Sequence, residues 1–212
     1  MQNMDGINFK SKINFVDSCT FNKLKLAQKA GYDTFVEGKR VCAHNVRTCT
    51  GAVCVDRKRA VARACHNYDC PVNANFADVL AIQFLHDLDI NKVFLIGGKK
   101  LSDSKSSIPL FHNFKRQLAK MVKKLTIFEE HTYPYSETDF HYDCDTDTLT
   151  VCSMFKRPKE VFEHYISNMD ELNECFKKVT IAKDDQLYFN DVPVKSDKKY
   201  NPFGFLNIFK KQ

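Results

Sequence analysis

Five of the nine cysteines in this 212-residue chain fall between positions 42 and 70. They are Cys42, Cys49, Cys54, Cys65 and Cys70, with His44 and His66 among them. The order is Cys-x-His, Cys-x4-Cys, a ten-residue spacer and Cys-x4-Cys-Pro. Tetrahedral zinc takes four thiolate or imidazole ligands, usually from two close pairs. Cys49/Cys54 and Cys65/Cys70 are such pairs, and Cys42 or His44 could replace one member. A structural zinc would then project the basic spacer residues Arg57, Lys58, Arg59 and Arg63 from a rigid loop. Unligated thiols that pack as small hydrophobes are an equal reading. Disulfides are a third, although nine cysteines cannot all pair internally. A thiol hydrolase is a fourth, with Cys65 adjoining His66, but sequence neighbours seldom form such a dyad.

A second constellation is a set of acids at strand ends: Asp17, Asp78 and Asp103. Phosphodiester hydrolysis with Mg²⁺ or Mn²⁺ needs converging carboxylates, because hard cations take oxygen ligands. Asp143, Asp145 and Asp147 alternate as in a calcium loop, but Thr148 stands where such a loop needs glycine and Met154 where it needs glutamate. They read as a solvated hairpin. His112 and His131 read as surface or packed residues. Gly97-Gly98 reads as a tight turn, since no phosphate-loop pattern follows it.

The elements that must position these residues are partly legible. Ile13–Asp17 reads as a strand ending in an acid, 21–36 as a helix weakened by Gly31, and 39–46 as a second strand. A loop or short helix is expected across the cysteines. Asn75 opens a buried helix, with Asp78 in its first turn. Lys92–Gly98 is a continuous apolar run bounded by glycines, as in a buried parallel strand. From Ile108 to Leu125 apolar residues recur at helical spacing, and the opposite face carries Lys115, Arg116 and Lys120. These basic residues, with the spacer 57–63, could hold phosphates. Residues 126–128 follow as a strand. Beyond about 138 come a hairpin (140–144 with 150–155), a helix starting at Pro158, and a second hairpin (179–182 with 187–194). The expected fold class is α/β: a parallel-sheet core with flanking helices over residues 1–135, containing a Cys/His-rich insertion at 42–70. A smaller α+β extension would occupy 136–195, and a Phe-rich tail 196–212.

The order Phe15-Val16-Asp17, Ala77-Asp78-Val79-Leu80-Ala81 and Val93–Gly98, followed by Ser102-Asp103-Ser104 and Ile108-Pro109-Leu110, resembles NYN/PIN-like nuclease domains over about residues 12–130. The resemblance implies a metal-dependent ribonuclease in which Asp17, Asp78 and Asp103 hold Mg or Mn, or an inactive relative that only binds RNA. The chain departs from the family pattern in having Ser-Cys-Thr after Asp17 and lysines and serines in the last acidic turn.

Charge is unevenly distributed. Residues 1–128 carry 21 Lys+Arg against 10 Asp+Glu, and residues 129–212 carry 11 against 16. A basic amino-terminal part suits a polyanion, RNA more than DNA. The opening residues contain no apolar run and no stretch reaches about 20 apolar residues, so neither a secretory signal nor a membrane span is expected. The implied location is cytoplasmic or nuclear. The alternative function is a non-catalytic, zinc-stabilised regulatory or assembly protein that contacts a protein partner through residues 202–209.

Overall fold

The computed structural model describes residues 10–67, 81–90, 92–102, 105, 106 and 108–195. Its first half runs β1 (Ser11–Phe15), α1 (Ser18–Phe21), β2 (Gln28–Lys29), β3 (Thr34–Gly38), β4 (Arg40–Val46), β5 (Thr50–Asp56) and β6 (Val61–Asn67). After helical residues 81–85 come β7 (Lys92–Gly97), β8 (Lys100–Ser102), β9 (Lys105–Ser106), α2 (Ile108–Met121) and β10 (Leu125–His131). The rest is β11 (Glu137–Asp143), β12 (Thr148–Phe155), β13 (His164–Tyr165), α3 (Met169–Cys175), β14 (Phe176–Thr180), β15 (Asp185–Phe189) and β16 (Val192–Pro193).

Two mixed sheets lie face to face. The first has the order β16-β15-β1-β12-β11-β4-β2, with β13 paired to β12; the second has the order β14-β10-β7-β5-β6-β3. Period-two alternation explains why both sheets can share one core. On β11, Phe140 and Tyr142 point inward; on β5, Val53 and Val55 do so; all four belong to one buried cluster. Rings cross between the sheets, Phe15 against Phe128 at 5.5 Å and Phe94 against Tyr142 at 5.8 Å. The outer face of the second sheet is covered by helices. Phe111, Phe114 and Leu118 of α2, with Ala81, Phe84 and Leu85, bury Cys54, Cys65, Val93 and Leu95.

This is a correction of the expected helix-flanked parallel α/β core. Among the described strands, parallel pairing is confined to β1 with β12 and β15, β2 with β4, and β7 with β10, with one isolated parallel bridge between Tyr32 and His66. The cysteine segment is the reason. Instead of a loop it forms the antiparallel pair β5–β6, and β5 lies beside β7 in the middle of the second sheet. The apolar run 92–97 is buried as expected, but it has one parallel and one antiparallel neighbour. Nor does the chain divide at 135. Strand β1 sits between β12 and β15, and β14 pairs with β10, so segment 136–195 is woven into both sheets.

Local differences have local causes. The helix expected over 21–36 is only the single turn α1, after which the chain extends. Leu26, an apolar residue within that expected helix, is 97% exposed, so no core holds it. The helix expected from Pro158 is reduced to α3, because Val161 and Phe162 face solvent. Its start is set by Asn168, whose side chain accepts from the Glu171 N–H at 2.9 Å. The second expected hairpin is split, its two strands joining different sheets.

A buried polar clasp closes one end of the sandwich. Lys92 of the second sheet and Asp185 of the first form an ion pair with both side chains fully buried. Lys92 also donates to Ser11 Oγ at 2.8 Å, and Thr126 donates to Asp185 at 2.5 Å. Burial pushes the Lys92 ammonium down to about 7.

Candidate active site

The four cysteines expected to bind zinc are not gathered by the described structure. Cys54 and Cys65 face the helix layer, whereas Cys49 faces the core between the sheets. Cys49 and Cys54 are an odd number of residues apart, so the strand turns them to opposite faces. Cys70 lies outside the described residues. Burial pushes the Cys54 thiol up to about 12 and raises Cys65 further, so both are held as neutral thiols. None of the described cysteines is in a disulfide bond.

Of the three expected metal-binding acids, Asp78 and Asp103 lie outside the described residues. Asp17 is the N-cap of α1: its carboxylate accepts from the Thr20 N–H at 2.7 Å, which lowers its pKa. Most of the basic residues read as phosphate contacts have partners within the chain. Arg57 pairs with Asp147 and donates to Ser11. Arg59 donates to the Asp87 carbonyl. Arg63 pairs with Glu37 and caps the helical segment through the carbonyls of Gln83, Phe84 and His86. Lys115 pairs with Glu129, while Arg116 and Lys120 donate to Asn113 and Gln117 one turn back along α2. Lys58 is exposed.

Among the described residues, one group of three brings metal-ligating atoms together: His112 of α2 with Glu129 and Glu130 of β10. The outer carboxylate oxygens are already held, Glu129 by Lys115 at 2.7 Å and Glu130 by Lys177 at 2.9 Å. These lysines balance the two negative charges, and His112 adds a third partner, so the grouping reads first as a charge network between helix and sheet.

A different arrangement lies at the opposite end of the second sheet from the Lys92 clasp. Gly51 of β5 stands directly across from His66 of β6. Cys49, two residues before Gly51, is on the same inward face. Cys49 and His66 are therefore diagonal cross-strand neighbours, about 7–8 Å apart at the backbone and closer at the side chains. Both are buried, at 3% and 2% exposure. Gly51 brings the opposite sheet close: a Cβ there would lie 2.5 Å from the Phe140 ring. On the other side of β5, Gly97 pairs with Thr50. Its φ of +127° and the 2.4 Å that would separate a Cβ from the Cys49 carbonyl oxygen admit only glycine. Of Gly97 and Gly98, read from sequence as a plain turn, Gly97 thus lies against the backbone of Cys49, and Gly98 lies against the Phe111 ring.

The imidazoles here are neutral. Burial lowers the His66 pKa, more than the charges of Asp33 and Asp139 raise it. The Asp33 N–H donates to the His66 carbonyl at 2.7 Å, and the Tyr32 ring lies 4.7 Å from the imidazole. The buried Nε2 of His66 has no hydrogen-bond partner. His131, on the inward side of β10, is pushed down to about 3 by burial. Its Nε2 meets Thr138 Oγ1 at 3.1 Å, and its buried Nδ1 has no partner either. Buried polar atoms are nearly always hydrogen-bonded, so His66 Nε2 and His131 Nδ1 stand out as two imidazole nitrogens without a partner within the chain. Sequence reading set Cys65 beside His66, but Cys65 faces the helix layer and it is Cys49 that shares the inward face with His66. Its missing signal was strand parity: Cys49 and His66 share a face only once Gly51 is paired with His66.

The chain matches no known family model and no curated protein.

Proposed function

We propose that the protein is a thiol-dependent hydrolase acting on a carbonyl substrate, an amide or an ester, with Cys49 as nucleophile and His66 as general base. The observation that carries this reading is the shared inward face of Cys49 and His66, with the His66 Nε2 buried and unpartnered beside a glycine-lined strand end. Nucleophilic cysteine catalysis needs an imidazole nitrogen within reach of the thiol, and the unpartnered His66 Nε2 would close on Cys49 Sγ when substrate binds. In the forward step His66 Nε2 takes the Cys49 Sγ proton and the sulfur attacks the carbonyl carbon. The carbon–nitrogen or carbon–oxygen bond then breaks as His66 returns the proton to the leaving amine or alcohol. Water, deprotonated by the same imidazole, next attacks the thioester, releasing the acid and restoring the thiol. Gly97 bears on the reading by letting β7 lie close to the Cys49 backbone, which fixes where the thiol stands.

The nuclease resemblance loses its main support with the parallel, helix-flanked core, and only Asp17 of its three acids is described. No helix among the described residues is long and apolar enough to cross a membrane. The hydrolase reading is tested by steady-state hydrolysis of p-nitrophenyl acetate by wild type, Cys49→Ser and His66→Ala. Each variant is expected to lose at least about 100-fold in kcat/KM, the scale of losing a nucleophile or its base. Wild-type rates in a folded Cys49→Ser protein would overturn the assignment.

A further inference from the structure

The group formed by His112, Glu129 and Glu130 has a geometry that a charge network between helix and sheet does not require. His112 stands in the second turn of α2, whose residues Phe111, Phe114 and Leu118 pack on the second sheet. That packing sets the imidazole beside the outer face of β10. Alternation along a strand turns consecutive residues to opposite faces. Glu130 takes a φ of +54°, which breaks the alternation, and both carboxylates reach the same imidazole. Phe128 and His131, on either side of the pair, both turn inward against Phe176. The Oε1 atoms are the ones that face His112. Glu129 Oε1 lies 3.6 Å from Nδ1, and Glu130 Oε1 lies 3.3 Å from Nε2. Charge-assisted hydrogen bonds between such groups run at about 2.7–2.9 Å. Both separations are longer than that. They match the spacing of ligand atoms around a tetrahedral zinc ion, about 3.3–3.6 Å when the bonds are about 2.0–2.2 Å. One imidazole nitrogen and one oxygen of each carboxylate lie within 4.8 Å of one another.

We propose that His112, Glu129 and Glu130 form a binding site for Zn²⁺, with water in the remaining coordination position. The ligand set decides the class of ion. An imidazole with two carboxylates suits zinc, whereas magnesium and calcium take oxygen donors alone. Three protein ligands leave a zinc site with one open position. The outer oxygens are arranged to match. Lys115 donates to Glu129 Oε2 at 2.7 Å and Lys177 to Glu130 Oε2 at 2.9 Å. Each carboxylate is thereby oriented through one oxygen and keeps the other for the ion, as ligating carboxylates do when a supporting partner holds them. The site is open to solvent on the helix side, where the His112 side chain is 40% exposed, while Glu129 and Glu130 are 10% and 14% exposed. An ion held there joins α2 to β10 and fastens the helix layer to the second sheet. The site shares no residue with the proposed hydrolase.

The test uses the full chain, stripped with EDTA and titrated with zinc by isothermal calorimetry. One zinc per chain is expected. In His112→Gln and Glu130→Gln the Kd should rise at least about 100-fold, since losing a ligand costs more than the 10–100-fold of losing a supporting partner. Zinc at about 100 times its Kd should raise the wild-type Tm by about 5–10 °C, and that of either variant by no more than about 2 °C. Co²⁺ in place of zinc reads the ligand type in the wild-type chain, whatever the variants' folding. Visible d–d bands are expected without a thiolate-to-cobalt charge-transfer band. Such a band would put the metal on cysteine and overturn the proposal. So would no zinc uptake by the wild-type chain, Mg²⁺ bound as tightly as zinc, or an unchanged Kd in His112→Gln protein whose circular dichroism is native.

Discussion

Replacing Gly97 with alanine probes the geometry that places Cys49. A φ of +127° lies where side chains are rarely tolerated, and holding alanine there costs about 1–3 kcal/mol. The new Cβ would also lie 2.4 Å from the Cys49 carbonyl oxygen and 3.2 Å from the Thr50 Cα. Both are backbone atoms of the neighbouring strand and cannot rotate away, so overpacking adds about 1–3 kcal/mol. The sum is centred near 4 kcal/mol, which for a domain of this size lowers Tm by about 8–16 °C. Gly51→Ala is the control. Its Cβ would lie 2.5 Å from a side chain, the Phe140 ring, rather than from backbone. Its loss should shrink markedly in a Phe140→Leu background, whereas that of Gly97→Ala should not. Thermal unfolding of the six proteins (wild type, Phe140→Leu, each glycine variant and each glycine variant with Phe140→Leu), followed by circular dichroism, gives the two double-mutant cycles. A Gly97→Ala protein within about 2 °C of wild type would refute the close approach of β7 to Cys49, and with it the reason for two glycines at that strand end.

Other outcomes follow from the same structure. Lys92→Met leaves the fully buried Asp185 carboxylate without its cation and should cost about 3–5 kcal/mol in urea unfolding; adding Asp185→Leu should recover much of that. In the proposed hydrolase His66 would act as the unprotonated base, and its pKa is lowered by burial. The acid limb of kcat/KM should therefore lie below pH 6.5, and a limb at or above 6.5 would count against a buried base. His44 behaves oppositely. Asp139, whose Oδ2 lies 3.4 Å from its Nδ1, raises its pKa from 6.5 to about 9, so its contribution to stability is complete below pH 6.5 and is lost as pH rises through about 9. Wild type should lose stability relative to His44→Gln across that window, and parallel stability curves would contradict the Asp139 contact.

The sequence carried the elements whose pattern was set by local periodicity. The buried run 92–97, helix α2 and the β11–β12 hairpin are where apolar spacing placed them. What failed were inferences that needed to know which strands are neighbours. Residues 50–67 are rich in alanine, cysteine and arginine, which masks two strands buried on both faces and made the segment read as a loop. Once β5 and β6 are strands, the sheet order changes, the helix-flanked core becomes a sandwich, and the cysteines sort to two faces. The candidate site shows the same limit. His66 was legible as a candidate group, but its neighbour on the inward face depends on the pairing of Gly51 with His66, a long-range register that composition does not encode. The basic residues were legible as charge. Their partners, such as Glu37 for Arg63 and Asp147 for Arg57, come from distant elements.

The central claim is that Cys49 is a nucleophile activated by His66. It is tested most directly by trapping the acyl-enzyme: mixing protein with p-nitrophenyl acetate, quenching in acid, and locating the acetyl group by peptide mass spectrometry. The account predicts one acetyl group per chain, on Cys49, absent in Cys49→Ser and formed far more slowly in His66→Ala. Acetylation confined to exposed groups such as Cys19, with Cys49 unmodified, would contradict it.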